Sequence, residues 1–77
     1  MQQYQNKNGN SGILAYEIGK DYIDVAFREY GKYRYSYTST GEQRVEQMKQ
    51  LAIQGCGLNS YISRHVKKDY EKKILII

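Results

Sequence analysis

The chain has 77 residues, of which 12 are Lys or Arg and 8 are Asp or Glu, so its net charge is +4. A chain of this length forms one domain with a thin core, because it buries only about 60% of the surface of its unfolded state. An enclosed catalytic cleft is therefore not expected, and the positive charge favours polyanionic partners.

The first twelve residues are rich in Gln, Asn and Gly and show no apolar periodicity. They predict a flexible leader over residues 1–12, followed by one domain over residues 13–77. The leader lacks the apolar core of a signal peptide. Cys56 is the only cysteine, so an intramolecular disulfide cannot form. Together these features predict a cytoplasmic protein.

Three segments with alternating polarity, residues 13–18, 22–28 and 32–38, predict an antiparallel β-meander. We expect a hairpin loop at residues 29–31 and a turn around Gly19 and Lys20. The pairs expected on the apolar face are Phe27 with Tyr33, Val25 with Tyr35, Ile23 with Tyr37, Tyr16 with Ile23, and Leu14 with Val25. The opposite face is expected to be polar and exposed, and it carries Asp24, Ala26, Arg28, Lys32, Arg34 and Ser36.

Two helices are predicted after the meander. Ser39 and Glu42 have the spacing of a capping box, which predicts a helix that ends near Ile53. Its apolar stripe contains Val45, Met48, Leu51 and Ala52, and Lys49 is among the residues expected to point outward. A second helix, expected to begin near Leu58, has apolar residues at Leu58, Ile62, Val66 and Tyr70. The predicted fold class is α+β, a three-stranded antiparallel β-meander followed by two α-helices packed on one face of the sheet.

Nine of the residues are tyrosines, and two interpretations compete. Exposed rings on a sheet can stack with nucleic-acid bases while Arg and Lys contact phosphates. Alternatively, the rings fill a thin core and their hydroxyl groups reach its edge. The expected pairs favour the core for Tyr33, Tyr35 and Tyr37. The tyrosines expected to be exposed are Tyr22, Tyr30 and Tyr61.

The turn Gly55-Cys56-Gly57 also has two interpretations. Its backbone amides could form an anion-binding nest, with Asn59, Arg64 and Lys67 nearby. A left-handed helix C-cap followed by a tight turn is the simpler interpretation. Cys56 and His65 are the only candidate nucleophile and base, and no spacing brings them together, so no catalytic residue is expected. One Cys and one His also cannot form a metal site, and no cofactor is expected.

Several motifs occur in a fixed order along the chain. Tyr16 to Phe27 has the pattern Tyr-x(6)-Ile-x-Val-x-Phe, and Tyr33-Arg34-Tyr35 follows. The sequence Gly57-Leu58-Asn59-Ser60-Tyr61-Ile62 comes later. This ordered set resembles the KTSC domain, a family of C-terminal extensions of lysyl-tRNA synthetases and of small bacterial and phage proteins. The resemblance covers about residues 13–73, although the proline often found after the Tyr-x-Tyr motif is absent. It implies RNA binding and no catalytic residue.

The leading hypothesis from the sequence is a non-enzymatic module that binds RNA or another nucleic acid through phosphate contacts. The expected binding residues are Arg28, Lys32, Arg34, Asn59, Arg64, Lys67 and Lys68. The segment 64–73, with five basic and two acidic residues, could instead be an ordinary solvated helix face. The alternative function is a protein-interaction or homodimerisation module, in which the tail Ile74–Ile77 adds a strand to a neighbouring sheet. This tail is far too short to span a membrane.

Overall fold

The computed structural model describes residues 2–7, 12–28 and 31–74. It confirms the α+β class, with a five-stranded antiparallel sheet in the order β1-β2-β3-β4-β5. The strands are β1 (Gln2–Gln3), β2 (Ile13–Ile18), β3 (Tyr22–Phe27), β4 (Gly31–Ser36) and β5 (Lys72–Ile74). The helices are α1 (Tyr37–Thr40), α2 (Glu42–Gln54) and α3 (Leu58–Tyr61), and α3 continues into a π-helical segment (Ile62–Val66). The predicted meander therefore gains a strand at each edge.

The strand register differs from the predicted one by two residues in both hairpins. Val25 pairs with Tyr33, and Ile23 pairs with Tyr35. Phe27 pairs with Gly31, so this glycine begins β4 instead of ending the hairpin loop. A shift of two residues keeps every side chain on its predicted face, because successive side chains in a strand alternate between faces. The division of β3 and β4 into two faces was therefore predicted correctly, although the strand partners were not.

The first hairpin contains an irregularity that the polarity pattern does not predict. Ile13 pairs with Phe27 and Ala15 pairs with Ala26, which leaves Leu14 in a bulge. Ile13 is consequently buried, whereas Leu14 is 46% exposed. The expected position of Leu14 beside Val25 is wrong, since a bulge interrupts the side-chain alternation on which that expectation depended.

The core lies between one face of the sheet and the helices. Of the predicted α2 stripe, Val45, Met48 and Ala52 are fully buried and Leu51 is half-buried. Along α3 and its continuation, the buried residues are Leu58, Ile62 and Val66. The sheet contributes mainly Ile13, Ile23, Val25 and Tyr35 to the same cluster. Both helical segments thus cover the predicted face.

The capping box occurs one helical turn earlier than predicted. The Ser36 hydroxyl accepts a hydrogen bond from the Ser39 amide, and the Ser39 hydroxyl accepts one from the Ser36 amide, each at 3.2 Å. This reciprocal pair begins the short helix α1, and α2 starts separately at Glu42 after Gly41. The Ser39–Glu42 box was a wrong prediction, because the strand ends at Ser36 and the helical turn begins there.

Lys49 was expected to point outward, yet it is only 8% exposed. Its ammonium group donates a hydrogen bond to the carbonyl of Lys20 at 3.2 Å and lies 2.8 Å from the carboxylate of Glu46. The aliphatic part of a lysine can cover apolar surface while its charged end finds polar partners. The aliphatic part of Lys49 therefore covers one side of the core.

Residues 2–7, expected to belong to a flexible leader, are part of the fold. The strand β1 pairs with β2, and Tyr4 is 4% exposed within the core cluster. The Tyr4 amide donates to the carbonyl of Leu14 at 3.0 Å, and the Lys7 amide donates to the carbonyl of Gly55 at 2.8 Å. A single aromatic anchor in a polar segment gives no periodic pattern, so the sequence does not predict this contact. Residues 1 and 8–11 lie outside the described part.

The C-terminal segment enters the sheet of its own chain. In β5, Lys72 pairs with Arg34, Lys73 with Tyr33, and Ile74 with Lys32. Residues 75–77 of the apolar tail lie outside the described ranges. Among the helices of the described residues, none combines the length and apolar character of a membrane-spanning helix.

Candidate nucleic-acid interface

The polar face of the sheet is not the open cationic surface that the sequence predicts. Asp24 is completely buried on that face, in the centre of β3. Arg34 donates two hydrogen bonds to its carboxylate, from Nε to Oδ1 at 2.8 Å and from Nη2 to Oδ2 at 3.0 Å. The Lys32 ammonium lies 3.9 Å from Oδ2. A carboxylate can be buried here because this pair of parallel hydrogen bonds compensates its charge.

The guanidinium of Arg34 also makes a cation–π contact. It lies 4.0 Å from the centre of the Tyr22 ring, which is half-buried instead of exposed as expected. The hydrogen bonds to Asp24 raise the pKa of Arg34. Arg34 is thus a structural cation whose charge is matched within the fold, and the prediction that it belongs to an exposed basic face is wrong.

The basic residues at the C-terminal end have a different environment. Arg64, in the π-helical segment, and Lys67 and Lys68, in the turn after it, are all exposed. Lys72 and Lys73 of β5 are exposed as well, although they were not among the predicted binding residues. Among the described residues, no carboxylate lies within ion-pair distance of any of these five. We call this set the C-terminal basic segment.

The structure does not bring the two predicted groups of basic residues onto one face. Arg34 and Lys32 lie on the Asp24 side of the sheet, because they alternate with Tyr33 and Tyr35, which face the helices. Arg64, Lys67 and Lys68 belong to the helical layer on the other side. Arg28 is exposed at the end of β3. In β5, Lys73 pairs with Tyr33 on the helical side, whereas Lys72 pairs with Arg34 on the Asp24 side. The single electropositive side predicted from the sequence is therefore divided between two layers.

The Gly55-Cys56-Gly57 turn has the geometry of a helix C-cap. Gly55 has a left-handed φ of 82°, and its amide donates to the carbonyls of Leu51 and Ala52. This confirms the simpler interpretation. The Leu58 amide, which would have belonged to an anion nest, donates to the Tyr4 hydroxyl at 3.3 Å. Burial raises the pKa of this hydroxyl.

The residues of the motifs that resemble the KTSC domain are mostly buried or half-buried. Tyr35 is 2% exposed and Leu58 is fully buried. Tyr33 and Asn59 are half-buried, and Gly57 is an exposed residue with a left-handed φ of 82°. Tyr37 is half-buried at the start of α1. Of the tyrosines expected to be exposed, Tyr61 is half-buried, and Tyr30 lies outside the described part.

Cys56 and His65, the candidate nucleophile and base, both lie in the described part of the chain and make no hydrogen bond to each other. His65 stacks near Tyr61, with ring centres 4.7 Å apart, and Cys56 is a half-buried free thiol. Within the described ranges, no group of three or more His, Cys, Asp or Glu side chains could hold a metal ion. An open groove beside β1, β2 and α2 is lined by Gln2, Tyr16, Glu17, Ile18 and Ile53, and none of the predicted site residues lines it.

Comparisons with known proteins do not assign this chain to a family. The chain matches no protein-family model. Searches of curated proteins and of solved structures likewise gave no match. The resemblance to the KTSC domain therefore stays a prediction that depends on the motifs alone.

Proposed function

We propose that the chain is a non-enzymatic nucleic-acid-binding module, with RNA as the expected ligand, whose phosphate contacts come from the C-terminal basic segment. The observation that supports this is the contrast between two kinds of cation. Arg34, Arg44 and Lys49 each have a carboxylate partner. The five basic residues of the segment are exposed and have no such partner among the described residues. Exposed cations without partners are the groups that neutralise a phosphate backbone.

The proposal changes the set of binding residues. Arg34 and Lys32 are excluded as main contacts, because withdrawing either cation would leave the buried carboxylate of Asp24 with weaker compensation. Arg64, Lys67 and Lys68 are retained, and Lys72 and Lys73 are added. Arg28 and Asn59 are secondary candidates. Contacts of this kind position a nucleic acid without selecting its base sequence.

Two double variants with the same change in net charge test the proposal. Lys67→Gln with Lys68→Gln removes two cations of the C-terminal basic segment. Lys7→Gln with Lys20→Gln removes two exposed lysines elsewhere, and it serves as the control. Fluorescence anisotropy with a labelled RNA oligonucleotide at about 50 mM salt should show several-fold weaker binding for the first variant than for the second. Equal weakening would mean that only net charge matters and that the segment is an ordinary solvated surface.

A second candidate function is self-association through β5. This strand lies at the edge of the sheet, so one side of its backbone is not paired within the sheet order of the described residues. An unpaired edge can accept a strand from another copy. Sizing the full chain beside a chain truncated before residue 74 tests this. Loss of a dimer on truncation would support self-association, and a monomer in both samples would exclude it.

A further inference from the structure

Tyr70 is the only exposed residue among the described phenylalanine and tyrosine residues. It keeps 40% of its surface accessible, whereas Tyr35 beneath it keeps 2%. Its ring centre lies 4.7 Å from that of Tyr33 and 6.3 Å from that of Tyr35. Phe27 supports Tyr33 from another side, with ring centres 5.8 Å apart. An exposed ring therefore rests on an aromatic cluster that is anchored in the core.

The backbone on both sides of Tyr70 is fixed by hydrogen bonds. The carbonyl of Asp69 accepts a hydrogen bond from the Thr40 hydroxyl at 2.6 Å. On the other side, the Glu71 amide donates to the carbonyl of Arg34 at 2.6 Å. These contacts tie the segment to the helical layer and to the sheet. The ring is consequently held in place before any ligand arrives, which lowers the entropy cost of binding to it.

The aromatic cluster also has charged neighbours. Asp69 and Glu71 flank Tyr70 in the chain, and Asp69 is paired with Arg44. The ammonium group of Lys73 lies 5.8 Å from the centre of the Tyr33 ring, because Lys73 and Tyr33 are paired across β5 and β4. Lys68 lies two residues before Tyr70, and its side chain is exposed. Lys72 pairs with Arg34 and therefore lies on the other face of the sheet. An aromatic ring with cations around it offers a stacking surface for a base and partners for the adjoining phosphates.

The geometry points to a stacking site for an unpaired nucleobase, formed by Tyr70, Tyr33 and Lys73, which we call the tyrosine platform. This inference deepens the proposed function and rests on it, since it specifies single-stranded nucleic acid as the ligand class. Bases within a duplex are already stacked on each other and expose only their edges in the grooves. The platform therefore favours a single strand over a duplex, whereas phosphate contacts alone do not require that preference.

A purely structural role for Tyr70 is the competing explanation, in which the ring only covers Tyr33 and Tyr35. Two substitutions separate the explanations. Tyr70→Phe keeps an aromatic ring without its hydroxyl group, and Tyr70→Leu keeps an apolar cover without a stacking surface. Thermal unfolding of both variants establishes that they are folded at the temperature of the binding experiment.

Binding is measured with a labelled 12-nucleotide single-stranded RNA and with a duplex of the same length. Wild-type protein and Tyr70→Phe should bind the single strand more tightly than the duplex. Tyr70→Leu should lose about 5- to 150-fold in single-strand affinity, the range found for one base–aromatic stack. Its affinity for the duplex should not change. An unchanged single-strand affinity in folded Tyr70→Leu would overturn the platform, even if binding of both probes remains salt-dependent.

A fluorescence experiment reports stacking independently of affinity. The chain contains no tryptophan, so Tyr70→Trp introduces a single tryptophan at the platform, which is excited at longer wavelengths than the remaining tyrosines. Saturating single-stranded RNA should quench its emission strongly, and the duplex should not. A Tyr16→Trp variant in β2 is the control, and its emission should change little with either probe. Similar quenching at both positions would overturn the platform, whereas a failure of both probes to bind would overturn the proposed function and the platform with it.

Discussion

The guanidinium of Arg34 and the carboxylate of Asp24 form a two-bond ion pair across β4 and β3, with Nε–Oδ1 at 2.8 Å and Nη2–Oδ2 at 3.0 Å. The two partners are buried unequally, since the Asp24 side chain is 1% exposed and the Arg34 side chain is 26% exposed. The charge that remains after a substitution therefore differs in its access to water, depending on which partner is removed. An orphaned Asp24 would be a buried charge, while an orphaned Arg34 could still reach water.

This asymmetry predicts different losses of stability. Arg34→Ala should lower the free energy of unfolding by about 3 kcal/mol, because it leaves an uncompensated buried carboxylate. Asp24→Ala should lower it by about 1 to 2 kcal/mol, since Arg34 remains partly hydrated. The double variant should lose less than the sum of the two. Urea unfolding at pH 7 measures all three, with Lys32→Gln as a control that loses less than about 1 kcal/mol. Equal small losses for both single variants would contradict this account of the pair.

Gly55 and Gly57 form a matched pair for testing how closely residues 2–7 approach the turn. Both have a φ of 82°, so alanine imposes a similar backbone strain of about 1 kcal/mol at either position. At Gly55 a β-carbon would also lie 2.7 Å from the β-carbon of Gln5, whereas at Gly57 the nearest atom is 3.6 Å away. Gly55→Ala should therefore destabilise the protein more than Gly57→Ala.

Adding Gln5→Gly to each glycine variant isolates the steric contribution. It should recover part of the loss caused by Gly55→Ala and none of the loss caused by Gly57→Ala, as measured by urea unfolding. If the two alanine variants had equal stability, the packing of residues 2–7 against this turn would be contradicted.

The hydrogen bond between Tyr37 and Glu46 predicts a change of stability at alkaline pH. The Tyr37 hydroxyl donates to the Glu46 carboxylate at 2.5 Å, and this bond raises the pKa of Tyr37 to about 12. A tyrosine in an unfolded chain has a pKa of about 10. Because the pKa is higher in the folded state, the contribution to stability is fully present below pH 10. It is lost as the pH rises through about 12.

Tyr37→Phe should therefore reduce the fall in unfolding free energy between pH 10 and 12. Burial also raises the pKa of Tyr35, and that contribution should persist in the variant. The measurement is urea unfolding at several pH values, combined with phenolate absorbance near 295 nm. An identical pH dependence for Tyr37→Phe and wild type would show that the bond to Glu46 does not form in solution.

Sequence reasoning predicted the class of the fold and much of its core. The α2 residues Val45, Met48 and Ala52 and the inward position of Tyr35 follow from spacing alone. The strand register could not be predicted, because a shift of two residues preserves the alternation that the sequence displays. The packing of Tyr4 depends on a pocket made by distant residues, and no local pattern encodes such a contact.

The candidate site was less predictable than the fold. Counting charges identified the segment 64–73 as basic, and its five Lys and Arg side chains are exposed. The same counting placed Arg34 among the free cations, although its partner Asp24 lies ten residues earlier in the chain and meets it only across the strand pair. Tyr70 appeared in the sequence as one more apolar helix position. The π-helical segment ends at Val66, so Tyr70 lies outside the helix, and its side chain is exposed.

The salt dependence of binding is the most direct test of the central claim that the C-terminal basic segment contacts phosphates. If all five cations contact a single strand, the slope of log affinity against log salt should be about −3.5, a loss of about 100-fold between 50 and 200 mM salt. The Lys67→Gln, Lys68→Gln double variant should reduce the steepness by about 1.4, because each phosphate contact contributes about 0.7. The Lys7→Gln, Lys20→Gln variant should keep the wild-type slope. A slope near zero for the wild type, or the same slope for both double variants, would contradict the claim.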